Sequence, residues 1–284
     1  MMWTWSLNGS ATTFPAWGRL FIECKSTQGA TMSTSSQHQQ LKEQFILSRG
    51  KWTPQMENML RSDPDYFAAY LKLRSVPLTN LALPAKTQEL VLLAVVAQCT
   101  ALFKPGIEAH TASAMEAGAS KEEIREVLHL SSVLGIHAMS VGVPLLVEVL
   151  AEDSRTAGHT GELDQRRQQL KDDFESKRGY WSQNWDNIVR IDPDFFEAYT
   201  EYSSLPFRKD KSVLDAKTKE LIYCAIDCAT THLYAPGLKL HIRNAVRYGA
   251  TPEEIMEVFE LAALMGHHTV LVGGEVLEAQ LNSS

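Results

Sequence analysis

Three pairs of polar residues recur in this chain at positions where its helical pattern otherwise places carbon: Glu89 with Glu220, His110 with His241, and His137 with His268. A carboxylate beside an imidazole can orient the ring and relay a proton near neutral pH, which is the chemistry of general acid–base catalysis. Glu220 precedes His241 by 21 residues, and Pro236-Gly237 lies between them. That dipeptide is expected to break the chain so that two helices fold back and bring the side chains together. His241, four residues after the break, is then expected near a helix N-terminus, where the dipole favours a neutral imidazole. His268 is expected on a later helix, opposite Glu254-Ile255-Val258 of its own unit. The plainer alternatives stay open at this point: a Glu near a helix start that complements the dipole, and histidines that are satisfied core residues.

The pairing comes from a duplication. Residues 49–77 match 178–206 at an offset of 129, with Arg49-Gly50-x-Trp52 returning as Arg178-Gly179-x-Trp181 and Asp63-Pro64-Asp65 as Asp192-Pro193-Asp194. After a two-residue insertion, residues 83–150 match 214–281 at an offset of 131, where Pro105-Gly106 returns as Pro236-Gly237 and Gly135-x-His137 as Gly266-x-His268. A repeat of this length is a complete structural unit. The expected organisation is a disordered N-terminal extension over 1–39, a first unit over 40–152, a linker over 153–167 and a second unit over 168–284. Met32 opens a polar run that reads as a natural start, so residues 1–31 are also expected to be an over-extended gene start.

Each unit reads as all-helical. Ser120 and Thr251 are expected N-caps with Glu123 and Glu254 completing capping boxes, and Pro252 falls where a helix tolerates proline. The Asp-Pro-Asp triplets start helices by the same logic, and apolar residues such as Ile255, Val258, Phe259, Leu261 and Ala262 recur at helical spacing. The expected fold class is all-α: two tandem helical bundles of six or seven helices each, packed face to face with pseudo-twofold symmetry.

Composition narrows the partners. With 27 Lys+Arg against 34 Asp+Glu the formal net charge is −7, and no basic cluster suggests nucleic acid or an anionic membrane. No apolar run is expected to approach the roughly 20 residues of a membrane span. The expected setting is cytoplasmic, with a small molecule or another copy of the chain as partner. Four cysteines are too few for a disulfide scaffold, and no CxxC occurs. Cys224 and Cys228 share a helix face with Glu220, but their repeat counterparts are Leu93 and Ala97, so they read as core residues. No metal is expected, since His267 and His268 are adjacent and should point apart, and no HxxxH spacing occurs. Trp52, Trp181, Tyr70 and Tyr199 read as core aromatics, with Trp181 also a candidate pocket wall.

The run Gly237-Leu238-Lys239-Leu240-His241-Ile242-Arg243-Asn244-Ala245, with Tyr248-Gly249-Ala250-Thr251-Pro252-Glu253-Glu254-Ile255 after it, resembles the carboxymuconolactone decarboxylase family. That family belongs with alkylhydroperoxidase D in one all-helical superfamily. The likeness covers both units and is closer in the second. The peroxidase branch carries cysteines seven and four residues before its histidine; here those positions are Tyr234 and Gly237, and Phe103 and Gly106. The resemblance therefore implies the decarboxylase branch, which uses no thiol, metal or organic cofactor. It implies a lyase of aromatic catabolism acting on a carboxylated lactone such as 4-carboxymuconolactone. Glu220, His241 and His268, with Glu89, His110 and His137 in the first copy, would be catalytic. Arg243 and Lys239 would hold a substrate carboxylate, and His232, Tyr234 and Trp181 would line the pocket. It also implies a homotrimer of duplicated chains. A peroxidase-like oxidoreductase using Cys224 or Cys228, and a non-catalytic helical scaffold or small-molecule binder, are the alternatives.

Overall fold

A computed structural model of the chain describes residues 34–158 and 161–283; the extension expected over residues 1–31 lies outside them. The described residues form α-helices and short 3₁₀ turns, with no strand among them. The first repeat runs α1 (Thr34–Leu47), α2 (Pro54–Ser62), α3 (Pro64–Asn80), α4 (Ala85–Ala97), α5 (Lys104–Glu116), α6 (Lys121–Ser132) and α7 (His137–Glu152). The second runs α8 (Gln165–Arg178), α9 (Asn184–Ile191), α10 (Pro193–Ser204), α11 (Ala216–Cys228), α12 (Ala235–Arg247), α13 (Pro252–Ala263) and α14 (His268–Leu281). Helix α1 begins at Thr34, inside the stretch expected to be disordered, and α8 begins at Gln165, inside the expected linker.

The predicted caps close as written. Ser120 and Thr251 both form full capping boxes, with Glu123 and Glu254, and Asp63 and Asp192 cap the helices that begin at Pro64 and Pro193. One break differs. Pro236-Gly237 forms the first turn of α12 instead of separating it from α11; the break is the turn 229–234, where Leu233 takes a left-handed φ of 51°. His241 is consequently the seventh residue of its helix, beyond the first-turn region where the dipole acts.

At the centre lie α4 and α11, whose residues Leu90–Val96 and Leu221–Asp227 are buried almost without interruption. A helix apolar on every side must be surrounded, and these two are covered by each other and by helices of both repeats. One hydrophobic cluster therefore runs through both repeats, from Leu90, Leu93 and Val127 to Leu221, Cys224 and Val258. Symmetric polar contacts cross it. Lys219 pairs with Glu126 of the other repeat at 2.8 Å and donates to the Pro206 carbonyl. At the equivalent place, Gln88 donates to Glu257 at 2.5 Å and to the Pro77 carbonyl at 3.2 Å.

The last helix of each repeat leaves its own unit. Helix α7 packs against α9, and α14 packs against α2. Leu271 of α14 thereby joins the aromatic cluster of Phe45 and Phe67 in the first repeat. This corrects the expectation for His268: its helix turns away at the 3₁₀ turn Leu264–His267 and carries the side chain to the other repeat. The continuous helical segments Lys121–Glu152 and Pro252–Leu281 are also long and apolar enough by composition to cross a membrane, contrary to the sequence expectation. Here their first halves are packed into the core, through Val127, Leu130, Val258 and Leu261.

Candidate functional site

Two clefts result, one per repeat, and each is completed by the other. In both, a carboxylate on the buried central helix meets a histidine on the next helix. His110 Nδ1 lies 2.9 Å from Glu89 Oε2, and His241 Nδ1 lies 2.6 Å from Glu220 Oε2. A carboxylate on so buried a helix needs a donor, and the imidazole supplies it. The same turn sets both pairs: Leu102 and Leu233 take left-handed conformations, and the amides of Phe103 and Tyr234 bond back to the carbonyls of Val96 and Asp227.

Cleft one has a volume of about 620 Å³. Besides Glu89 and His110 it is lined by Arg49, Lys51, Tyr70, Arg74, Phe103 and, from the second repeat, His267, His268 and Leu271. Arg49 Nη2 donates to Gln88, and Nη1 is buried without a hydrogen-bond partner, 4.0 Å from Glu89 Oε1. Arg49 is held in a left-handed φ of 63°, a conformation costing a non-glycine residue about 1–3 kcal/mol, of the kind that collects at functional sites. The rings of His267 and Tyr70 stack at 4.4 Å, and His268 lies 4.1 Å from Phe103. Burial lowers His267 to about 4 and His268 to about 3, so both are neutral at physiological pH. Although adjacent, they line one cleft together, with ring centroids 4.4 Å apart, because they straddle the junction of the 3₁₀ turn and α14.

Cleft two, about 540 Å³, departs from this pattern. It is lined by His241, whose Nδ1 is held from behind by Glu220, and by Arg178, Tyr180, Tyr199, Tyr223, Asp227, Tyr234 and, from the first repeat, His137 and Ser140. Tyr223 stacks on His241 at 4.5 Å, and burial raises its phenol above the ordinary value. Arg178 is the repeat counterpart of Arg49, but it ends its helix in regular geometry and Gly179 takes the left-handed position instead. Its guanidinium turns to the Ser203 carbonyl at 3.0 Å and lies over Phe207.

The structure brings together the six predicted Glu and His residues, three per cleft, with His137 and His268 exchanged between repeats. It does not bring in Arg243 or Lys239. Each lies two residues from His241, about 200° around the helix, so both are exposed on its far side. Trp181 packs on Phe174 and Phe196 and donates to Asp186, as a core aromatic outside the cleft lining. Tyr234 lines cleft two, and His232 stands behind its wall, against His137. Neither Cys224 nor Cys228 lines a cleft; burial raises both thiols, Cys228 to about 12. Arg49 escaped the sequence reading although the repeat displayed it, because Arg49-Gly50-x-Trp52 served only as an alignment anchor. Asp227, Tyr223 and Arg74 had no such signal, since their repeat counterparts are Val96, Leu92 and Ser203.

The model of the carboxymuconolactone decarboxylase family matches residues 64–146 and 193–271, together more than half of the chain and one segment in each repeat. A crystal structure at 1.70 Å from Burkholderia xenovorans LB400, described as a candidate gamma-carboxymuconolactone decarboxylase subunit, is similar at 46% identity with a TM-score of 0.82. The likeness covers 87% of this chain and 98% of that one. No curated protein sequence matches the chain.

Proposed function

Since this chain belongs to the carboxymuconolactone decarboxylase family, we propose that it is a lyase that removes CO₂ from a small carboxylated lactone, of the 4-carboxymuconolactone kind, in cleft one. The observation that carries this reading is the buried, unpartnered Nη1 of Arg49 facing the Glu89–His110 pair.

When the bond to the departing carboxylate breaks, its electron pair moves into the conjugated lactone and charge gathers on the carbonyl oxygen. A fixed guanidinium is suited to that charge, since it needs no reorganisation as the charge develops. The carbon next to the carbonyl must then take a proton. With Nδ1–H donated to Glu89, the protonated ring of His110 carries a second proton on Nε2; it gives that proton to the carbon as CO₂ leaves, and water restores it. Lys51 at the cleft rim and the neighbouring Arg74 add positive potential that favours an anionic substrate. The peroxidase alternative lacks support in both clefts, because neither Cys224, which is buried, nor Cys228, which is part-buried, lines either of them.

The test is the ultraviolet loss of 4-carboxymuconolactone with wild type, His110→Ala and His241→Ala, each checked for folding. Turnover lost in His110→Ala and retained in His241→Ala supports cleft one. Turnover that survives His110→Ala overturns it.

The same reading includes a homo-oligomer, for which a trimer of chains is proposed. Val141, Leu145 and Val149 on α7, and Val272, Val276 and Leu277 on α14, are about half exposed in the single chain. Apolar rows of this kind suit burial against another copy, and the similar crystal structure is described as a subunit. Light scattering coupled to size exclusion measures the state directly; a monomer at micromolar concentration contradicts it.

A further inference from the structure

Cleft two contains a cluster that its duplicated partner lacks. His137 Nδ1 and His232 Nε2 face each other at 2.5 Å, and each lies 3.9 Å from Asp227 Oδ1. The three come from separate places: the first residue of α7, the last turn of α11 and the turn after it. Asp227 is 2% exposed and its Oδ2 has no hydrogen-bond partner. A Cβ at Gly237 would stand 2.3 Å from that oxygen, so the glycine makes room for the carboxylate. Among the described residues, its only ion-pair approaches are those to the two imidazoles. An unsatisfied buried carboxylate is costly and calls for a cation.

The repeat provides the control. The counterpart of His137 is His268, but the counterparts of Asp227 and His232 are Val96 and Ala101. Two separate differences in the second repeat thus put two potential ligands beside the one shared histidine.

We propose that His137, Asp227 and His232 bind one divalent first-row transition-metal ion. Two imidazoles and a carboxylate are a ligand set for such ions, and three protein ligands leave coordination positions open to water or a substrate oxygen. The ligand atoms already lie within 4.8 Å of one another. Bonds of about 2.1 Å around a tetrahedral ion require ligand separations of about 3.4 Å, reached if the imidazoles part and the carboxylate advances by less than about 1 Å. The ion would tie α7 of the first repeat to the α11–α12 turn of the second. It would face the cleft that His241 also lines. This site is independent of the decarboxylation assigned to cleft one.

The test titrates metal-free, tag-free full-length protein with Co²⁺, read by visible d–d absorption, and with Zn²⁺, read by calorimetry. The expected result is one equivalent of Co²⁺ per chain, displaced by Zn²⁺. Asp227→Val and His232→Ala install residues that the first repeat already carries at the equivalent positions, so the fold has a precedent for both. Each should weaken binding by about a hundredfold or more, since losing a side chain that bonds the ion costs more than the 10–100-fold lost with one that only supports such a side chain. His268→Ala should leave binding unchanged. If Asp227→Val fails to fold, His232→Ala decides alone. No stoichiometric binding, or binding that survives His232→Ala, overturns the site and leaves the two imidazoles sharing a proton. The readout uses no substrate, so its failure is separate from any failure of the lyase reading.

Discussion

The imidazole of His268 lies 4.1 Å from the ring of Phe103, although the two belong to different repeats. Its counterpart His137 lies 3.9 Å from Tyr234 in the opposite sense. Each cleft therefore takes its Glu–His pair from one repeat and a further histidine from the other. The two halves complete each other's clefts as well as burying α4 and α11.

Arg49 combines backbone strain with the role proposed for it in cleft one. Its left-handed φ of 63° carries that cost of about 1–3 kcal/mol, which a residue without Cβ escapes. Arg49→Gly should keep or raise the melting temperature while lowering kcat on a lactone acid by about 10²–10³-fold. Arg49→Lys should stay near that reduced rate, because an ammonium lacks the planar fork. Steady-state kinetics beside thermal melts checks both; full activity in Arg49→Gly would remove Arg49 from the mechanism.

Lys219 and Glu126 form a buried ion pair between the repeats. Lys219→Met leaves the Glu126 charge buried without its partner and should cost about 3–5 kcal/mol. Lys219→Gln copies the Gln88–Glu257 arrangement of the opposite repeat and should cost much less. Urea unfolding of the two variants distinguishes them, and equal losses would mean that a neutral amide donor cannot replace the ammonium at this place.

Acid should weaken the fold through His267. Burial lowers its folded value from 6.5 to about 4, against a bond to the Leu264 carbonyl that favours the charged form and with His110 and Arg74 nearby disfavouring it. Between those two values the unfolded chain binds a proton that the folded chain refuses, so stability falls as pH drops from about 6.5 toward 4. His268 acts in the same direction. His267→Ile, which installs the residue at the equivalent position, Ile136, should reduce the loss of urea midpoint between pH 7.5 and pH 5. An unchanged loss would place the acid sensitivity elsewhere.

Thiol accessibility separates the cysteines. Cys99 is exposed, Cys224 is buried, and burial holds the Cys228 thiol at about 12. Iodoacetamide at pH 8 should label Cys99 well before Cys224 or Cys228 in the native protein, as mass spectrometry of the digested chain would show. Cys228→Ser should leave lactone turnover unchanged. Rapid labelling of Cys228 would return the thiol-based alternative to consideration.

The duplicated sequence determined a good deal by itself. Helix caps are local, so Ser120, Thr251 and the two Asp-Pro-Asp triplets announced their helices without any tertiary knowledge. The recurrence of Glu89 and His110 as Glu220 and His241 exposed the two pairs, because a polar residue kept on a buried helix twice must have a partner. Only the tertiary structure decided which repeat each later histidine serves. That choice depends on the direction in which α7 and α14 leave their 3₁₀ turns, a long-range packing outcome with no local code. It also decided that Arg243 and Lys239 face away, since a helix turned by two residues presents its opposite side. The cluster of His137, Asp227 and His232 was beyond any spacing rule for the same reason: Asp227 and His232 lie five residues apart across the end of α11, and His137 arrives from the other repeat.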